Sequence, residues 1–123
     1  MSSRIIVAEY LGIKNREFSE DIESIKMELK LALEEAGAIV FDVYGRALGP
    51  GVTVVAIIGN QYGEFRGRSH GAVHTYPELS YARLLLDCYS DMEPARAIDR
   101  FSNKFQPSQP PLVNELRLAL EEL

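Results

Sequence analysis

The chemistry available to this chain is concentrated in one stretch, Arg68–Glu78 (RSHGAVHTYPE). It holds Ser69, His70, His74, Thr75, Tyr76 and Glu78: two hydroxyls, two imidazoles, a phenol and a carboxylate. His70 and His74 stand at i, i+4, the spacing of a helical metal site. Ala72–Tyr76, however, reads as a short strand ended by Pro77. Four residues along a strand separate side chains by about 13 Å. No third ligand lies nearby, so a metal site is not expected. A Ser-His-Asp hydrolase fits poorly too, because there is no G-x-S-x-G and no helix closely follows the serine. Cys88 is the only cysteine, which excludes an intrachain disulfide. In an apolar strand it is either a small core hydrophobe or a catalytic thiol. Taken singly, His74 could equally bond a backbone group, Tyr76 could serve packing, and Ser69 could be an ordinary loop-end serine.

The elements that must position these residues alternate between two periodicities. Ile5–Tyr10 reads as a strand, broken by Gly12 and Asn15. Ser19–Ala36 reads as an amphipathic helix with a stripe at Ile22, Ile25, Leu29, Ala32, Leu33 and Ala36. Ser19 is its expected cap and Gly37 its stop. Ala38–Arg46 is a strand with Ile39, Phe41 and Val43 on one side. Val52–Ile58, the most apolar stretch, is a central strand. Gly59–Gly67 is a polar loop with three glycines. Tyr81–Tyr89 is a strand with Ala82, Leu84, Leu86 and Cys88 on one face. Glu93–Phe105 is a second helix, capped by Asp91 and buried through Ala97, Ile98, Phe101 and Phe105. QPSQPP (Gln106–Pro111) is a linker, and Leu112–Leu123 returns to helical spacing. The order β-α-β-β-β-β-α-α predicts an α+β fold: a two-layer α/β sandwich, a mostly antiparallel sheet with helices on one face. Two helices cannot cover both faces of the sheet, so a homodimer is the simplest cover.

Composition narrows the function. A chain of 123 residues, 46% hydrophobic and 25% charged, reads as one globular domain over residues 1–123. Thirteen Lys and Arg against eighteen Asp and Glu give a net charge of −5, which argues against nucleic acid as a partner. No long apolar run suggests a membrane span, and the first residues lack a signal-peptide pattern. A cytoplasmic protein is expected.

The run Ser-His-x-x-x-His-Thr-(aromatic)-Pro-Glu at Ser69–Glu78 resembles the short, prokaryotic class of S-adenosylmethionine decarboxylase, a family of pyruvoyl-dependent proenzymes. The opening RIIVAEYLGI, the helix ending in AGAIV, Gly51-Val52-Thr53 before the apolar strand, and YARLLLDCYSDMEPARAIDRF fall in family order. The resemblance covers about residues 4–105. It implies self-cleavage at Arg68–Ser69: the hydroxyl attacks the preceding carbonyl to give an ester, and β-elimination splits it. Ser69 would become a pyruvoyl cofactor, whose ketone condenses with the amine of S-adenosylmethionine and accepts the electrons released with carbon dioxide. By position, the resemblance gives His74 and Thr53 a part in processing. It makes Cys88 the proton donor to the decarboxylated carbon, suited by an ordinary thiol pKa of about 8.5. Tyr76 would face the adenine, and Glu78 would accept from the ribose hydroxyls. Decarboxylated product would feed spermidine synthesis, and dimers are implied.

The sequence departs from the family pattern at four places. Arg68 stands where glutamate is usual, and Gly59–Gly67 lengthens a tight turn. Ala47 stands where a large aromatic usually stacks on adenine, a role Phe65 or Tyr62 could take over. The tail, QPSQPP and Leu112–Leu123, differs as well. Three functions stay open at this point: S-adenosylmethionine decarboxylation, pyruvoyl-dependent decarboxylation of another amino acid such as arginine or ornithine, and an unprocessed regulatory or binding homologue.

Overall fold

Two short polar side chains decide where the first helical segment begins and breaks. In the computed structural model, which describes residues 3–59, 69–89 and 91–118, the expected single helix is two. Helix α1 spans Arg16–Glu20 and α2 spans Ile22–Glu35. Asn15 caps α1 by accepting from the Phe18 amide at 3.2 Å. Asp21 lies in extended conformation between the helices. It caps α2 by accepting from the Ser24 amide at 3.1 Å and the Ser24 hydroxyl at 2.8 Å. Ser19, the expected cap, is instead buried inside α1. The expected α2 stripe is right: Ile25, Leu29, Ala32 and Leu33 are buried, and Ile22 packs against the same core.

The strands are β1 (Ser3–Leu11), β2 (Ile39–Leu48), β3 (Gly51–Gly59), β4 (Ser69–Tyr76), β5 (Tyr81–Tyr89) and β6 (Leu112–Arg117); helix α3 covers Pro94–Phe105. They form one sheet in the order β2-β3-β4-β5-β1-β6, antiparallel at every pairing. The expected α+β architecture with helices on one face is what forms. Val54, Ala56, Ile58, Val73, Leu84 and Leu86 meet Leu29, Leu33, Phe101 and Phe105 in one buried cluster. Its aromatic corner sets Phe105 5.1 Å from Tyr10 and 5.2 Å from Phe18, between ring centroids. The Tyr10 phenol donates to the Ile98 carbonyl at 2.8 Å, so the buried hydroxyl is satisfied.

Three further expectations need correction. The tail is not helical over Leu112–Arg117: it is β6, paired with β1 from Arg4↔Arg117 to Glu9↔Leu112. Leu112 and Leu116 are four apart, a spacing that suits a strand face as well as a helix face. Pro110 and Pro111 deliver the chain extended beside the free edge of β1, and Arg4 pairs with Glu115 at 3.1 Å. Residues 119–123 lie outside the described residues. In β2 a register shift between Val40 and Asp42 turns the strand, so Val40 and Val43 pack against the core while Phe41 is exposed. Asp91 does not cap α3; Glu93 holds that position, without a side-chain bond.

Candidate active site

The sheet has two faces, and they divide the candidate residues. On β4 and β5, Gly71 opposes Leu86 and His74 opposes Arg83. Ser69, two residues before Gly71, and Cys88, two after Leu86, therefore point to the helix-covered face at one end of the strand pair. Cys88 is buried, next to Arg4 across the β1 ladder. Burial pushes its thiol up to about 12, outweighing the Arg4 cation, which pulls the other way. An ordinary thiol pKa is thus not what the fold provides. Ser69 pairs with Ile58 on β3 and hydrogen-bonds the phenol of Tyr89. That phenol also donates to the Ile58 carbonyl at 3.4 Å. Tyr89, buried at the end of β5, was not marked by any motif.

Thr53, His74 and Tyr76 occupy the open face. The Thr53 hydroxyl and His74 Nδ1 lie 3.0 Å apart, because the two residues are direct partners in the β3–β4 ladder. Burial lowers the His74 pKa, and the Arg83 guanidinium lowers it further. Arg83 lies over the Tyr76 ring, 5.7 Å from its centroid, and reaches the Tyr76 phenol at 3.4 Å. One side of the ring expected to meet adenine is therefore already covered. Tyr76 also contacts Tyr81, whose hydroxyl donates to Glu9 at 2.6 Å. Glu78 is exposed in a 3-10 turn, Pro77–Leu79.

The structure brings Thr53 to His74, and Ser69 to the Cys88 end of β5, but it does not join the two groups within the chain. His74 lies five residues beyond Ser69 on β4, about 16 Å away and on the opposite face. His70 turns outward and bonds the Asp87 carboxylate, at 3.1 Å through its amide and 3.2 Å through Nδ1. Ala47 is exposed on β2; Arg68, Tyr62, Phe65 and most of the Gly59–Gly67 loop lie outside the described residues. Among the described residues no group of three His, Cys, Asp or Glu could hold a metal, and no helix is long and apolar enough to cross a membrane.

Thr75 stands in the motif, but what it does comes only from the fold. Its hydroxyl donates to the Ser19 carbonyl at 2.7 Å and accepts from the Val52 amide at 3.0 Å. It thereby ties α1 and β3 to the strand that carries Ser69 and His74. A side chain on Gly51 would run into the Thr75 carbonyl oxygen, which explains the glycine before Val52-Thr53.

The sequence profile of a family described as S-adenosylmethionine decarboxylase matches residues 4–117. The chain belongs to this family. It is 30% identical to an S-adenosylmethionine decarboxylase proenzyme of Thermotoga maritima over 122 residues, covering 98% of this chain and 87% of the relative. A proenzyme of the same name from Brevibacillus brevis is 33% identical over 93 residues, covering 72% of this chain and 62% of the relative. The fold is that of a crystal structure of the adenosylmethionine decarboxylase from Aquifex aeolicus, with a TM-score of 0.69 and 18% identity over 95% of this chain and 88% of that one.

Proposed function

We propose that this chain is a single-domain S-adenosylmethionine decarboxylase that cleaves itself at Arg68–Ser69 and works with a pyruvoyl group derived from Ser69. The observation that carries this reading is the juxtaposition of Ser69 and Cys88 at one end of the β4–β5 pair, in a chain of this family. In processing, the Ser69 hydroxyl adds to the Arg68 carbonyl and the peptide bond becomes an ester. Loss of the Ser69 Cα proton expels the Arg68 carboxylate; water then replaces the nitrogen, which leaves as ammonia.

The surroundings suit a ketone at position 69. Tyr89 offers a phenol, Cys88 a thiol, and neither carries charge near neutrality. When present, such a group supplies the electron sink for loss of carbon dioxide. The chain's own residues do the rest. Cys88 holds a proton, kept on sulfur by burial. A carbanion is far more basic than a thiolate, so even a weak thiol acid can protonate the substrate's α-carbon. Protonation there, not at residue 69, prevents transamination of the cofactor. Tyr76 and Glu78 are the residues proposed to meet adenine and ribose.

The Thr53–His74 pair assists processing through a proton acceptor of lowered pKa. A homodimer packed through the open faces is part of this reading. The open face carries Tyr44, Leu48, Leu112 and Leu116 exposed, an apolar surface that a second copy would cover. The product would serve spermidine synthesis in the cytoplasm.

Intact mass and denaturing electrophoresis test the reading. Two fragments, residues 1–68 and 69–123, are expected, with one band for Ser69→Ala; carbon dioxide release from carboxyl-labelled S-adenosylmethionine should depend on cleavage. Wild-type protein that stays at full mass would overturn it in favour of an unprocessed binding homologue. The exposed Ala47 and the Arg83 cation over Tyr76 favour a second reading, a pyruvoyl decarboxylase of arginine or ornithine. Release of carbon dioxide from those amino acids, and not from S-adenosylmethionine, would establish it.

A further inference from the structure

We propose that Arg83 is a positioning residue for His74: clamped directly across the β4–β5 ladder, its guanidinium acts with burial to hold the imidazole neutral, with Nδ1 accepting a hydrogen bond from the Thr53 hydroxyl. The consequence for cleavage rests on the processing role proposed above; the hold of Arg83 on His74 does not.

The register sets the pair together. Thr53 opposes His74, His74 opposes Arg83, and Arg83 opposes Glu9. Across β3, β4, β5 and β1 the open face therefore reads hydroxyl, imidazole, guanidinium, carboxylate. Directly opposed side chains in antiparallel strands have Cβ atoms about 5 Å apart. An arginine on an open sheet face would ordinarily swing into water and lose its influence. Arg83 is not free to do so. Its guanidinium lies 5.7 Å from the Tyr76 centroid and donates to the Tyr76 phenol at 3.4 Å. It also hydrogen-bonds Tyr81, which Glu9 holds from the far side at 2.6 Å. Its Nε is buried without a hydrogen-bond partner among the described residues, so the group is drawn in among its neighbours.

A fixed cation beside a half-buried imidazole disfavours a second positive charge there. Burial contributes the larger part of the lowering at His74, and Arg83 adds to it. The remaining neighbours do not reverse this. On β3 the imidazole faces Thr53 and Val55, on β4 Ala72 and Tyr76, and on β5 Tyr81 and Leu85 beside Arg83. The next charges in the row are Arg46, beyond Thr53, and Glu9, beyond Arg83, of opposite sign and one strand further away. The charge state fixes the direction of the 3.0 Å bond. A neutral ring with its proton on Nε2 accepts from Thr53 at Nδ1. A protonated ring must donate there and can accept no proton from a reacting group.

The test uses the full-length Ser69→Ala chain, in which no cleavage complicates the sample. Imidazole NMR signals are followed against pH, with a His70→Gln variant assigning the two histidines. In Arg83→Met the His74 titration should move to higher pH, and in Arg83→Lys it should stay near the parent value. An unchanged His74 midpoint in Arg83→Met overturns the proposal. Should Arg83→Met fail to fold, a second charge-removing variant takes its place. Arg83→Gln in the same Ser69→Ala chain also removes the charge while keeping a polar side chain beside Tyr76; its His74 midpoint should move to higher pH, and an unchanged midpoint overturns the proposal. In the Ser69-containing chain, the acid limb of the cleavage-rate profile should follow the NMR midpoint upward in Arg83→Met and return in Arg83→Lys. A midpoint that moves while the cleavage profile does not would uphold Arg83 as the holder of His74 and overturn the role of His74 in processing.

Discussion

At the Cys88 sulfur burial raises the thiol pKa against the pull of the Arg4 cation, and the Asp87 and Glu115 carboxylates add to the rise. A thiol held near 12 is almost wholly protonated at pH 8, and the thiolate is the species that reacts with alkylating reagents. Native protein should resist iodoacetamide and become labelled on denaturation; rapid native labelling would contradict the burial. As the proposed general acid, Cys88 should matter to turnover alone. Cys88→Ser should lower decarboxylation roughly 10²-fold while two bands still appear on a denaturing gel. Full turnover in that variant would reduce Cys88 to core packing. His74 carries a second, thermodynamic prediction. Its folded pKa is lowered, so the unfolded chain binds its proton more readily. The stabilising contribution is present above the unfolded value of about 6.5 and is lost as pH falls through the folded one. Urea midpoints should therefore drop more between about pH 7 and about pH 5 in wild type than in His74→Gln.

At the scale of elements, the motif Ser69–Glu78 is a strand with two vocabularies. Its outward residues, His70, His74 and Tyr76, could be read from the sequence as chemical groups. Among its inward residues Ser69 is legible in the same way, whereas Gly71 and Val73 carry no signal of their own and the ties made by Thr75 come only from the fold. Thr75→Val keeps shape but strands the Val52 amide and the Ser19 carbonyl. Leaving buried polar groups unsatisfied in this way should cost about 2 kcal/mol, measurable by urea unfolding. An unchanged midpoint would show that water replaces the hydroxyl. The α2 stripe, the β3 run and the β5 alternation were legible because each obeys one periodicity. The break at Asp21 was less so, since Ser19 and Asp21 are both good caps and only the docking of Ser19 under Thr75 decides between them. The last strand was illegible for a numerical reason: Leu112 and Leu116 fit either period, and the free edge of β1 makes the choice. Arg83 and Tyr89 went unnoticed because their meaning comes from partners on other strands, which spacing within one strand does not reveal.

For the whole molecule, the open face sets the expectation of a homodimer. Light scattering at micromolar concentration should report twice the chain mass; a monomer would leave the exposed Tyr44 and Leu116 without a cover. The separation of His74 from Ser69 gives a sharper test. Ser69→Ala and His74→Gln chains, each unable to cleave alone, should yield the 1–68 and 69–123 fragments of the His74→Gln chain when co-expressed. Complementation would show that one copy processes the other, and its absence would require both groups to act within one chain.

The strand order has one more consequence. A cut between β3 and β4 gives one piece holding β1, β2 and β3 and another holding β4, β5 and β6, yet in the sheet β1 lies between β5 and β6. The two pieces are interleaved like the fingers of clasped hands. Neither can leave without tearing hydrogen-bonded ladders from the other, so a nicked molecule should stay whole in native buffer. Refolding is a different matter. An intact chain finds its partners within itself, whereas two separated pieces must first meet. After the cut, recovery from denaturant becomes second order in protein, slow when dilute and open to aggregation through bare strand edges. Maturation by such a cut would therefore convert a fold that can be reached repeatedly into one that is kept chiefly by the slowness of its unfolding.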